Sequence, residues 1–166
     1  MVAVDGQVVC VKIQGRADFN LSLDLKRLID QLRHRGCQRF VLELGDCVMM
    51  DSTFLGMIAG YGLKFCNSSN PKGFPMELMN PNPRIADVLE SLGIAHLFKI
   101  VRCPDGLPSS YESAGNQAGS KADITRNCLE AHRTLISLNP ENAKKFKDVA
   151  EFLAEDLKRL EMAGEK

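Results

Sequence analysis

Two rhythms of apolar residues alternate along this chain, one with the period of a strand and one with the period of a helix. Met1 to Val4 and Val8 to Ile13 are β-branched runs separated by Asp5-Gly6-Gln7. The Asp-Gly pair is a hairpin signal, so the chain is predicted to open with two short antiparallel strands. Gly15-Arg16-Ala17-Asp18 ends the second of them. Asn20 is a good N-cap, and Leu21, Leu25, Leu28, Ile29 and Leu32 then recur at helical spacing. Arg33 and Arg35 fall in the last turn, where cations complement the helix dipole, and Gly36 can terminate it. Phe40 to Leu44 reads as a strand and reaches a turn at Gly45-Asp46, and after a loop with two methionines Asp51-Ser52 opens a helix through Phe65. Phe74 to Met79 predicts another strand. Asn82 caps and Pro83 starts a helix striped by Ile85, Val88, Leu89 and Leu92, which stops at Gly93. His96 to Val101 reads as a final strand. Such alternation implies an α/β domain with a largely covered sheet.

The rhythm breaks after residue 103. Between 104 and 120 Pro, Gly, Ser, Asn and Asp dominate, the composition of a flexible linker. Ile124, Cys128, Ala131, Leu135 and Leu138 then alternate spacings of four and three, and Asn139-Pro140-Glu141 starts a second helix. Phe146, Val149, Leu153, Leu157 and Leu160 continue the spacing. The expected organisation is a domain over 1–103, a linker over 104–120 and a helical hairpin over 121–163. The apolar seams of the hairpin need a surface, and both docking on the first domain and pairing in a homodimer satisfy them.

Composition narrows the functional classes. The chain has 166 residues, 45% apolar and 25% charged, with 21 basic and 21 acidic side chains. Zero net charge favours neither nucleic acid nor an anionic membrane as an obligate partner. No apolar run approaches the ~18 residues of a membrane span, and the N-terminus lacks the pattern of a signal peptide. The six cysteines (10, 37, 47, 66, 103 and 128) are scattered without a C-x-x-C pair, as small buried hydrophobes in a reducing cytoplasm would be. The three histidines (34, 96 and 132) lie beside no cysteine cluster, so no metal or cofactor is expected. There is no phosphate-cradling glycine loop, and Ser52 lacks a G-x-S-x-G elbow or a histidine placed by sequence to activate it. No catalytic residue is assigned, and the chain is read as a non-enzyme.

The informative stretch is residues 40–66. Three glycines (56, 60 and 62) interrupt its helix, each costing about 1 kcal/mol relative to alanine. Gly56 and Gly60 lie on one face, where a backbone can approach closely, either the sheet beneath or a docking protein. Few charges precede Lys64, so the helix must be mostly covered. The string M-D-S-T-F-L-G after an apolar strand resembles the signature of the STAS domain, the fold of the anti-sigma factor antagonists. In that family the usual string is Asp-Ser-Ser/Thr-Gly-Leu-Gly, and the serine is phosphorylated by a partner-switching kinase. The Gly15 to Asp18 string and the segment from Pro83 through Ile100 resemble the family's entry to its first helix and its closing segment. The resemblance spans about residues 1–103.

The resemblance implies a mixed sheet covered by helices and a cytoplasmic switch protein. Its partner would be a serine kinase of the anti-sigma class, bound when Ser52 is plain and released when Ser52 is phosphorylated. Partner-binding residues are then Asp51, Ser52, Thr53, Phe54, Gly56 and Met57 at the helix start, with Asp18 either ordering its loop or touching the partner. Phe54 stands where the family has glycine; facing solvent it would anchor a partner, and facing inward it would be core. The alternative is a docking subunit of a signalling or transport complex without phosphorylation. The C-terminal hairpin is an addition to the minimal antagonist.

Overall fold

The computed structural model describes residues 1–67, 76–102, 110–113 and 119–164. In chain order its elements are β1 (Val2–Asp5), β2 (Val8–Lys12), β3 (Gly15–Ala17), α1 (Phe19–His34), β4 (Arg39–Glu43), β5 (Cys47–Met50), α2 (Ser52–Asn67), β6 (Met76–Met79), α3 (Pro83–Ser91), β7 (Lys99–Val101), α4 (Lys121–Leu138) and α5 (Glu141–Gly164). The main sheet has the order β1-β2-β4-β6-β7, antiparallel in its first pair and parallel beyond it. The opening hairpin forms as predicted, with Gly6 taking a φ of 57° in the loop, where a side chain would be strained.

Alternation along the strands sorts the sheet into two faces. Val9, Val11, Phe40, Leu42, Met76 and Leu78 point to the side that α1, α2 and α3 cover, and these residues form the main core. Cys10, Val41 and Met79 point the other way into a smaller cluster with Val8 and Tyr111. The helix register follows the predicted stripes: Leu25, Ile29 and Leu32 of α1 and Ile85 and Leu89 of α3 are buried. Asn82 caps α3 by accepting from the Ile85 amide at 2.9 Å, with Pro83 at the first position.

Three local expectations are corrected. The cap of α1 is Asp18, whose carboxylate accepts from the amides of Asn20 and Leu21, so Asn20 already lies within the helix. The methionine loop before Asp51 is a strand: β5 pairs in parallel with β3 as a separate two-stranded sheet. The segment from His96 is a 3-10 turn over Ala95–Leu97 before a three-residue β7, because the Leu97 and Phe98 amides close on carbonyls three residues back. The predicted strand from Phe74 holds from Met76; its first two residues lie outside the described ones.

The hairpin packs on its own chain. A capping box between Ser120 and Asp123 starts α4, and the Asn139 side chain accepts from the Glu141 amide at 3.1 Å to start α5. Asn142, fully buried, donates to the carbonyls of Leu92 at 3.0 Å and Leu135 at 2.9 Å, tying the turn between the helices to the end of α3. Between the domain and the hairpin, Glu112 pairs its backbone with Val2 through two hydrogen bonds of 2.8 Å, covering part of the β1 edge.

Candidate functional site

The start of α2 is held between two strand ends and the start of α1. β5 delivers Asp51 beside β3, where its amide donates to the Ala17 carbonyl at 2.9 Å. The Asp51 carboxylate then accepts from the Phe54 amide at 2.8 Å, the N-cap geometry that the Asp-Ser pair predicts. It also accepts from the backbone of Thr53 and of Phe19, the first residue of α1. One carboxylate thus joins the N-termini of two helices. Ser52 is the first residue of α2, half-exposed, with its hydroxyl beside that cap.

The other predicted residues divide between the core and a helix interface. Phe54 is 0% exposed and belongs to the main core, so it takes the inward alternative and offers no ring to solvent. Thr53 and Met57 are buried as well. Asp18 is half-buried and committed to capping α1. Gly56 faces α4 of the same chain, where a Cβ built on it would collide with the backbone carbonyl of Ala131. The close approach permitted by Gly56 and Gly60 is used by the chain's own C-terminal hairpin, with Thr134 next to Gly60.

The same helix reaches Ser52. His132, 5% exposed, lies with Nε2 2.9 Å from the Ser52 hydroxyl. Its Nδ1 lies 2.7 Å from the Cys128 carbonyl, which can only accept, so Nδ1 carries a proton. In the neutral ring Nε2 is then the acceptor of the Ser52 hydroxyl proton. Phe146 of α5 packs edge-on against the imidazole, with centroids 5.3 Å apart. One turn earlier, the Cys128 thiol is hydrogen-bonded with Thr53. Sequence reasoning did not find His132, Cys128 or Ala131 as site residues. The only available signal was a polar histidine inside an apolar helical stripe.

Chemically, a serine with an imidazole acceptor has two parts of a nucleophilic triad. Its third part is taken elsewhere: the Nδ1 proton goes to a carbonyl of the imidazole's own helix, and Asp51 is occupied by helix amides. Among the described residues no group of three or more His, Cys, Asp or Glu side chains is placed to hold a metal. Ser52 itself stands in the first turn of α2, at the positive end of the helix dipole.

Burial raises the Asp51 carboxyl above its ordinary 3.8, and nearby Asp18 adds to this, against the lowering effect of the three amide hydrogen bonds. The folded state therefore holds this proton more tightly than the unfolded chain. Its effect favours folding below pH 3.8 and is lost as pH rises through that value and past the raised folded one. Asp51→Asn keeps the cap acceptor and removes the charge. Its stability relative to the unsubstituted chain is expected to improve across that window and then level off, measured by urea unfolding at a series of pH values. A difference that is flat with pH would contradict the assignment.

Comparison with known proteins bears on the family and the fold. The model of the STAS domain matches residues 1–104. An anti-sigma F factor antagonist of Paenibacillus polymyxa is 33% identical over 96 residues, covering 57% of this chain and 75% of that protein. A STAS-domain containing protein of Pseudomonas aeruginosa (strain UCBPP-PA14) is 28% identical over 98 residues, covering 59% of this chain and 92% of the relative. Among solved structures, a putative anti-sigma factor antagonist of Thermotoga maritima superposes with a TM-score of 0.54 at 21% identity, over 63% of this chain and 86% of the other. The anti-sigma factor antagonist SpoIIAA in its unphosphorylated form gives 0.51 at 16% identity, over 63% and 89%. The family model spans the α/β part and ends before the hairpin, and on that basis the chain belongs to the STAS domain family, with two C-terminal helices appended.

Proposed function

We propose that this chain is an anti-sigma factor antagonist of the partner-switching kind, acting in the cytoplasm. Unmodified, it binds a serine kinase of the anti-sigma class through the start of α2 and so frees the regulator that kinase restrains. Phosphorylated on Ser52, it lets the kinase go. The observation that carries this reading is the placement of the Ser52 hydroxyl in the first turn of α2, beside the Asp51 cap. A phosphoryl group there brings about −1.5 to −2 charges and three acceptors, which the amides of its own helix end tolerate. A partner packed over the same helix end instead meets a desolvated anion beside Asp51 and Asp18, and like-charge repulsion and desolvation release it.

Phosphosite mapping of the protein from its own organism, in growing and in stressed cells, tests the proposal. A single phosphate on Ser52 with condition-dependent occupancy is expected, and Ser52→Ala should hold its partner constitutively. No phosphate under any condition, together with full function of Ser52→Ala, would leave a docking subunit without phosphorylation as the function. The hydrogen bond that covers Ser52 from His132 is the one feature that favours this second reading.

A further inference from the structure

The surface proposed for partner docking is already occupied by α4. Ser52 meets His132, Thr53 meets Cys128, and Gly56 meets the backbone of Ala131, so three of the predicted contact residues face a single helix of the same chain. A kinase cannot bring its active site to the Ser52 hydroxyl while α4 crosses the turn that carries it. Masking and docking are mutually exclusive on steric grounds.

The contact has the character of an interface that opens. Eight polar or charged side chains are buried among the described residues, and five of them lie where the hairpin meets the domain: Ser22, Thr53, Asn127, His132 and Asn142. Asn127 donates to Ser22 at 2.9 Å, and exposed ion pairs such as Lys26 with Glu130 ring the edge. Interfaces between separable units are polar in this way, whereas the sheet-side core of α1 and α2 is almost wholly apolar. A surface cleft of about 410 Å³ lies beside Gly60, between Lys26, Lys64 and Thr134. The STAS family model ends at residue 104, before the hairpin begins.

We propose that the groove between α1 and α2 is a helix-binding site whose resident ligand is α4, and that the partner docks by exchanging an amphipathic helix of its own for α4. This rests on the docking role given to the start of α2 above. The resident helix specifies the chemistry of its replacement: a small residue against Gly56, an acceptor at Ser52 and a polar side chain for Ser22.

The test uses the full chain and a fluorescent synthetic peptide of residues 119–140 as the incoming helix. Ala131→Leu enlarges the buried residue of α4 that lies against Gly56 and leaves the groove itself native. Glu130→Lys, which sets a second cation against Lys26, is the milder alternative should Ala131→Leu fail to fold. Thr53→Cys, oxidised with diamide to a disulfide with Cys128, locks α4 down, and dithiothreitol releases it. Faster alkylation of Cys128 reports release. At least tenfold tighter peptide binding by a released variant than by the unsubstituted chain, and none by the locked chain, is expected. Three results overturn the proposal. They are alkylation unchanged in both variants, release without peptide binding, and peptide bound equally by the locked chain. A concentration-dependent dimer in place of peptide binding would assign the groove to a second copy and overturn it too. Peptide exchange without phosphate on Ser52 would sink only the phospho-switch, and phosphate on Ser52 without exchange would sink only this inference.

Discussion

Phe54→Ala is expected to lower stability by about 3–5 kcal/mol, the usual cost of emptying a buried aromatic site. The ring is 0% exposed and sits in the main core two residues after Ser52, with Leu55 and Ile58 also buried. For a domain whose whole stability is about 5–15 kcal/mol this is a large fraction, and a fall in Tm on the order of 10 °C should accompany it. Chemical unfolding gives the number. A loss under about 1 kcal/mol would mean that the ring is peripheral, and the anchor role would then return. The start of α2 is thus held from beneath by a bulky buried side chain.

Gly56→Ala should have the second large effect, with opposite signs in two parts of the molecule. The methyl group improves the intrinsic helix preference of α2 by about 1 kcal/mol. It also meets Ala131 at 2.3 Å from the carbonyl oxygen, 2.6 Å from its carbon and 2.9 Å from Cα, all backbone atoms that no rotamer can withdraw. Overpacking of this kind costs about 1–3 kcal/mol where the elements stay in place. The contact can instead be relieved by moving α4, so the expected outcome is an intact STAS domain with a loosened hairpin. Hydrogen exchange should quicken in α4 and α5 and stay slow in β4 and β6. Uniformly faster exchange would show that hairpin and domain unfold as one unit. At Gly60, where a Cβ would meet only the Thr134 side chain at 3.9 Å, alanine should be harmless.

These two residues show what the sequence carries and what it does not. The Asp51 cap is legible because capping is decided within a turn of helix, and the same holds for Asn82-Pro83 and the Gly6 loop, whereas the sequence leaves the direction of Phe54 open. The Gly56 spacing announced a close backbone approach, but the identity of the approaching backbone lies 75 positions away in Ala131. The hydrogen bond between Ser52 and His132 spans 80 positions, and no local pattern marks a histidine as the lid of a particular serine. The β3–β5 pair escaped for a related reason. Strands of three and four residues show no periodicity of their own, and each exists only because the other lies beside it. Asp18 and Asn20 are both good caps by type, and the choice between them is made by which side-chain oxygen reaches two amides. The unusual apolar character of α2 was read correctly as a demand for cover. What supplies the cover was open until the hairpin was placed.

The backbone pairing of Glu112 with Val2 gives the hairpin a kinetic and thermodynamic advantage. It anchors the connecting chain at the β1 edge, so only eight residues, 113–120, separate that anchor from Lys121. A short covalent connection raises the local concentration of the element it carries, so α4 holds its place on α2 as an intramolecular ligand. Cutting the Val2–Glu112 pairing would lengthen the tether and lower that local concentration. The edge of β1 thereby sets how firmly the hairpin is held against α2.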